Sequence, residues 1–148
     1  MRPILFYDQM SYFCICTFGG SEDLISLYNR FEEQQIKDLR LDAFFEVIGD
    51  EQYKMSKVGE KVYDCFVIRS AELYLNKAEA EAMLDKAEAI QTIKTLLNNR
   101  FEGGIPDIDG LSGKDLVSFI RDERRRELCF EAHRWFDLRR YAVSPKYP

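Results

Sequence analysis

Histidine is nearly missing from these 148 residues: it occurs once, at position 133, and tryptophan likewise occurs once, at position 135. The four cysteines, Cys14, Cys16, Cys65 and Cys129, never fall at the C-x-x-C spacing that a zinc site or a redox pair needs. They imply neither a metal site nor a disulfide framework, and scattered cysteines of this kind behave as small buried hydrophobes. No stretch approaches the ~18 uninterrupted apolar residues of a membrane span. The apolar start at residues 1–7 is broken by Asp8 and Gln9 before it reaches the ~7 to 15 residues of an export signal, so none is expected in this chain. Positive charge is also short, with 21 Lys and Arg against 26 Asp and Glu and a formal net charge of -5. That balance argues against nucleic acid or an anionic membrane surface as partner. The pairs Gly19-Gly20 and Gly103-Gly104 lack the spaced glycines and the lysine of a nucleotide loop.

What is present is an ordinary globular balance, 46% hydrophobic and 32% charged, with 14% aromatics. A chain of this length holds one core and buries roughly 70% of its unfolded surface. The expected organisation is one partial domain, with an irregular part over residues 1–60 that carries one helix and a helical part over 61–148.

Residues 1–20 have strand-like content around 12–18. Ser21, followed by Glu22 and Asp23 and then by Leu24, Leu27, Tyr28 and Phe31 at helical spacing, predicts a helix over 22–34. The apolar run 43–48, closed by Gly49-Asp50, predicts a strand and a turn, and the polar segment 51–60 a loop. The second half is better patterned. Ile68, Ala71, Leu75, Ala78 and Ala82 recur at intervals of three and four and mark one buried face of a helix over 66–84. Asp85 and Glu88 stand at the offset of a capping box, so a second helix is expected at once, burying Ala89, Ile93, Leu96 and Leu97. The short connection makes 66–100 an antiparallel helical hairpin. Residues 103–106 break the helix, and Ser112 with Asp115, flanked by the staple pair Leu111 and Leu116, opens a last helix over 113–141.

The densest charge lies in Arg121-Asp122-Glu123-Arg124-Arg125-Arg126-Glu127 and continues to Arg140. Acids and arginines alternate at spacings that pair along a helix, which predicts a salt-bridged helix rather than a nucleic-acid patch. Arg124 is in line with Leu116, Ile120, Leu128, Ala132 and Phe136. It is therefore expected to be partly buried and paired with Glu127, Glu72, Glu79 or Glu81. His133 has no Ser/Asp constellation near it that would make it a catalytic base. Trp135 and Phe136 are expected as core anchors on the helix stripe. The acidic pairs Glu32-Glu33 and Glu79-Glu81 sit on single helices and cannot straddle a glycosidic bond. No catalytic, cofactor-binding, metal-ligating or ligand-contacting residue is assigned, and no cofactor is expected.

The stretches VIRSAELYLNKAEAEAML (residues 67–84), LLNNR (96–100) and LSGKDLVSFIRDERRRELCFEAHRWFDLRR (111–140), with IKDLRLDAFF (36–45) upstream, closely resemble the C-terminal part of SusD/RagB-family proteins. The resemblance covers roughly 21–141 and implies a mainly α-helical fold built on TPR-like helix pairs. It implies further a lipoprotein of the Bacteroidetes outer membrane that binds oligosaccharides or other nutrients without cleaving them. Its partner would be a TonB-dependent, SusC-like transporter, with this chain standing for a truncated copy of the family's length. Ala132 stands where family members often have glycine. The family's glycan contacts lie on variable loops, so none is carried over to residues here. A small helical interaction module, holding a peptide or a second copy of itself through the unsatisfied face of its hairpin, is the alternative.

Overall fold

The computed structural model describes residues 19–48, 52–57 and 69–147. The expected strand at 12–18 and the thiols of Cys14, Cys16 and Cys65 lie outside them. Within the described residues the fold is mainly α, with six α-helices and four strands of two or three residues.

The core is the predicted hairpin. Helix α3 (Ser70–Met83) buries Ala71, Leu75, Ala78 and Ala82, and α4 (Glu88–Leu97) buries Ala89, Ile93, Leu96 and Leu97. The alanine stripe lets the two helices approach closely, and α5 (Gly113–Glu127) packs on α3 through Leu116, Val117, Phe119 and Ile120. Ile108, in the connection between α4 and α5, seals this cluster. Emptying one such site, as in Ile120→Ala, is expected to cost about 2–5 kcal/mol.

The connection within the hairpin differs from the expected capping box. Asp85 has φ 54, the N-cap of α4 is Ala87, and no side chain caps it. The chain turns instead through backbone bonds from the Asp85 N–H to the Ala82 carbonyl and from the Lys86 N–H to the Glu81 carbonyl. The Asp85 carboxylate is held by Lys146. Helix α3 starts four residues later than expected, because Arg69 is extended (φ -117, ψ 150), and residues 66–68 lie outside the described residues.

The first third carries more structure than its pattern predicted. Helix α1 (Glu22–Tyr28) stops well before residue 34, and only a 3-10 turn follows at Glu32–Gln34. The break separates two aromatics that one helix would hold on one face: Tyr28 packs with Leu24, Ile25 and Phe45, whereas Phe31 enters the main core beside Phe101 and Phe119. Strand β1 (Lys37–Asp38) leads into a second helix, α2 (Leu39–Phe44), where a strand was expected from residue 43. Asp38 caps it, its Oδ1 accepting the Arg40 N–H at 3.0 Å. Strand β2 (Phe45–Val47) pairs antiparallel with β3 (Tyr53–Met55), which occupies part of the expected loop. Strand β4 (Phe101–Glu102) closes on β1. A Cβ at Gly103 would stand 2.5 Å from the Gln35 carbonyl oxygen, and its φ is 86, so this crossing requires glycine.

The largest correction concerns the C-terminal helix. The expected single rod over 113–141 is two helices: α5 ends at Glu127, and α6 (His133–Ala142) starts after a turn in which Phe130 and Ala132 both have φ 62. The stripe that ran from Leu116 to Phe136 therefore loses its phase after Leu128. Leu128 is buried, but Trp135 and Phe136, expected as core anchors, are 65% and 68% exposed.

Candidate functional site

The charged string at the end of α5 was expected as a salt-bridged helix; its Glu123, Arg124, Arg126 and Glu127 are all buried. Four carboxylates and five cations from distant segments meet there. Arg40 forks onto Asp38 through Nε and Nη2 (2.9 and 2.7 Å), and its Nη2 and Nη1 lie 3.0 and 3.2 Å from Glu123 and Glu127. Arg100 grips Glu127 with Nε and Nη2 (2.8 and 3.0 Å), and Arg69 joins Glu127 to Glu131. Lys57 pairs with Glu131 at 2.5 Å. Arg126 donates to Glu123 and, at 2.6 Å, to the Leu27 carbonyl.

The same cations resolve a problem that every buried helix end poses, carbonyls without intrahelical partners. Tyr28 donates to the Arg126 carbonyl (2.7 Å), Arg69 and Lys57 to that of Glu127 (2.9 and 2.6 Å), and Lys57 also to that of Cys129 (3.1 Å). Positive charge at a helix C-terminus is favourable as well. A short, abrupt end to α5 thus follows from what surrounds it.

Electrostatics confirm how unevenly the members are accommodated. Burial alone would raise the Glu127 carboxyl, but the Arg100 hydrogen bond and the charges of Arg40, Arg100 and Arg69 outweigh it and hold the pKa at about 2. Burial pushes the Arg126 guanidinium below its ordinary range, with Arg40 adding to the effect. Its Nε and the Glu123 Oε2 are the two buried side-chain atoms without a hydrogen bond among the described residues. Burial also raises the Cys129 thiol and, far more, the Tyr28 hydroxyl. None of these groups is both free and accessible, which describes a structural knot rather than a catalytic centre.

A second network ties α6 to α3 and α5. Arg124, buried as expected, donates through Nε to Asp137 (2.9 and 2.8 Å) and through Nη1 to Asn76 (2.7 Å). Of its anticipated partners only Glu72 is near, at 3.8 Å; the break after Leu128 is what brings Asp137 within reach. Glu79, buried, receives Arg121 and both terminal nitrogens of Arg140. Beside it lies an open cleft of about 520 Å³. The sequence offered Glu79 as a possible partner of Arg124 and as half of an acidic pair, with no sign that three segments converge on it.

His133 places Nδ1 3.9 Å from Glu72, with no nucleophile or second acid among the described residues forming a triad around it. Glu32 and Glu33 are exposed on their 3-10 turn, while Glu79 is engaged as described. No group of three or more His, Cys, Asp or Glu side chains among the described residues is placed to hold a metal ion, and none of their helices is long and apolar enough to cross a membrane. Exposed apolar side chains gather on α6, where Trp135, Phe136 and Leu138 are joined by Val143 just beyond its end.

A mainly helical scaffold knotted by buried ion pairs, with no catalytic constellation among its described residues, is the class that this architecture defines. The model of the SusD family matches residues 39–147, and the chain belongs to that family. A SusD-like protein, P38, of Formosa agariphila (strain DSM 15362 / KCTC 12365 / LMG 23005 / KMM 3901 / M-2Alg 35-1) is 34% identical over 113 residues, covering 70% of this chain. The chain spans 21% of that relative's length. No solved structure matches.

Proposed function

We propose that this chain serves as the C-terminal helical part of a non-enzymatic glycan-binding protein at the outer membrane, working beside a SusC-like, TonB-dependent transporter. The family match over 39–147 carries the reading. The fate of the charged string supports it. From Glu123 to Glu131 its acids and arginines hold the fold together, so this part is scaffold and the glycan contacts belong elsewhere in a SusD-like protein. By itself the chain is expected to bind oligosaccharides weakly or not at all. Two measurements test this. Calorimetry on the purified chain with a panel of oligosaccharides should show no robust binding. In the host, a tagged version expressed from its own locus should fractionate with the outer membrane and bring down a TonB-dependent barrel. Recovery in the soluble fraction without any barrel would overturn the proposal.

A second reading, a small helical interaction module or self-associating chain, is favoured by the exposed Trp135, Phe136 and Leu138. Sedimentation separates the two: a compact monomer across the micromolar range disfavours it.

A further inference from the structure

The open cleft beside Glu79 holds donors that its own acceptors leave unused. Its lining carries two guanidiniums, Arg121 and Arg140; Glu79 accepts from both, and Arg140 is paired with Asp137 as well. Arg121 uses only its Nε on Glu79; Nη1 and Nη2 have no hydrogen-bond partner among the described residues, and neither have the Asn76 amide nitrogen or the Ser144 hydroxyl as donors. The Arg121 guanidinium is nevertheless fixed, because it lies 4.0 Å from the centroid of the Tyr141 ring and is bonded at Nε, with only 13% of its side chain exposed. A pre-oriented guanidinium with two free terminal nitrogens matches the two oxygens of a carboxylate. The lining also has an apolar part, formed by Met83, Val143 and Pro145.

From this geometry we infer that the cleft is a binding site for a monoanionic carboxylate carried on a compact body. Arg121 takes the oxygens, Asn76 and Ser144 add donors, and the apolar wall receives the body. The two free terminal nitrogens lie side by side in one plane, the arrangement that a carboxylate's two oxygens meet. The cleft volume suits a ligand of monosaccharide size. This site is independent of the glycan reading, which places no contact here; either can fail alone.

The test titrates the full chain with D-glucuronate and with isobutyrate, and with their neutral counterparts glucose and isobutyramide, following the Arg121 Nε–H and Asn76 amide signals by NMR. Saturable shifts with at least one carboxylate and none with its neutral counterpart are expected. Response to glucuronate alone identifies a sugar acid, response to isobutyrate alone an aliphatic acid, and response to both a site that reads the carboxylate itself. Arg121→Gln should weaken binding about tenfold, and Arg121→Lys less, since the charge survives without the fork. Should Arg121→Gln fail to fold by circular dichroism, Asn76→Asp with Ser144→Ala, which keeps the acceptor for Arg124 and removes the two added donors, should still weaken binding severalfold. No saturable shift with either acid, equal shifts from acid and neutral counterpart, or unaltered binding in the folded variants would each overturn the inference.

Discussion

Glu127 is the residue on which most of the buried charge converges, since three arginines, Arg40, Arg69 and Arg100, reach its two oxygens. Replacing it by glutamine leaves those cations without their shared anion, and Glu127→Gln is expected to destabilise the fold by about 3–5 kcal/mol in denaturant titrations. The pH dependence follows from its depressed acidity. With a folded pKa of about 2 against an ordinary 4.5, the carboxylate binds protons less readily folded than unfolded. Its contribution is complete above 4.5 and is lost as pH falls through the interval down to 2. Melting temperature should decline across that window, and the decline should be shallower in Glu127→Gln. A different residue-scale effect is expected at Ala132, whose φ of 62 places a Cβ where L-residues are disfavoured. Ala132→Gly should stabilise by about 1 kcal/mol, visible as a rise in melting temperature of about 3 °C.

At the scale of elements, α6 and α5 make opposite predictions although both bear the same kind of sequence. Phe136→Ser, on the exposed side of α6, should change stability by less than about 0.5 kcal/mol, whereas Ile120→Ala in α5 should produce the cavity-sized loss. The lone tryptophan gives an independent readout: Trp135 should emit at long wavelength and be quenched readily by acrylamide in the folded chain, and a blue-shifted, protected emission would contradict the exposed placement. The hairpin was legible because its apolar residues keep helical phase within each arm, from Ala71 to Ala82 and from Ala89 to Leu97. The break after Leu128 was not legible, since Phe130 and Ala132 are not residues that announce a left-handed turn; what holds them there is the capping of the Glu127 and Cys129 carbonyls by Lys57 and Arg69, contacts from far along the chain. For the same reason the alternation of acids and arginines pointed to pairing along one helix and not to partners from α1 and α2. Local spacing reports which charges can pair, but burial depends on what packs over them, and here α1 and α2 do. The Asp38 cap of α2 was visible as an acid ahead of an apolar helix start, but the strand-like run of aromatics after it masked the signal.

For the molecule as a whole, the ion pairs divide into a shielded set and a peripheral one. Arg30–Asp122, Lys37–Asp42 and Lys146–Asp85 sit on the surface and should contribute little. The interior pairs are beyond the reach of added electrolyte, so raising sodium chloride from 0.05 to 1 M, which shortens the screening length roughly fourfold, is expected to move the melting temperature by only ~2 °C. A steep salt dependence would mean that water penetrates the knot. That knot also constrains how such a chain can vary. Asp38, Arg40, Glu123, Arg126 and Glu127 pair with one another, and Glu127 with Arg69 and Arg100 besides, at a point where water cannot stand in for a missing partner, so a lone change of sign at any of the five strands a charge. Drift at these five sites has to be concerted, and in an alignment of SusD-like sequences their letters should either stay fixed or exchange in compensating sets.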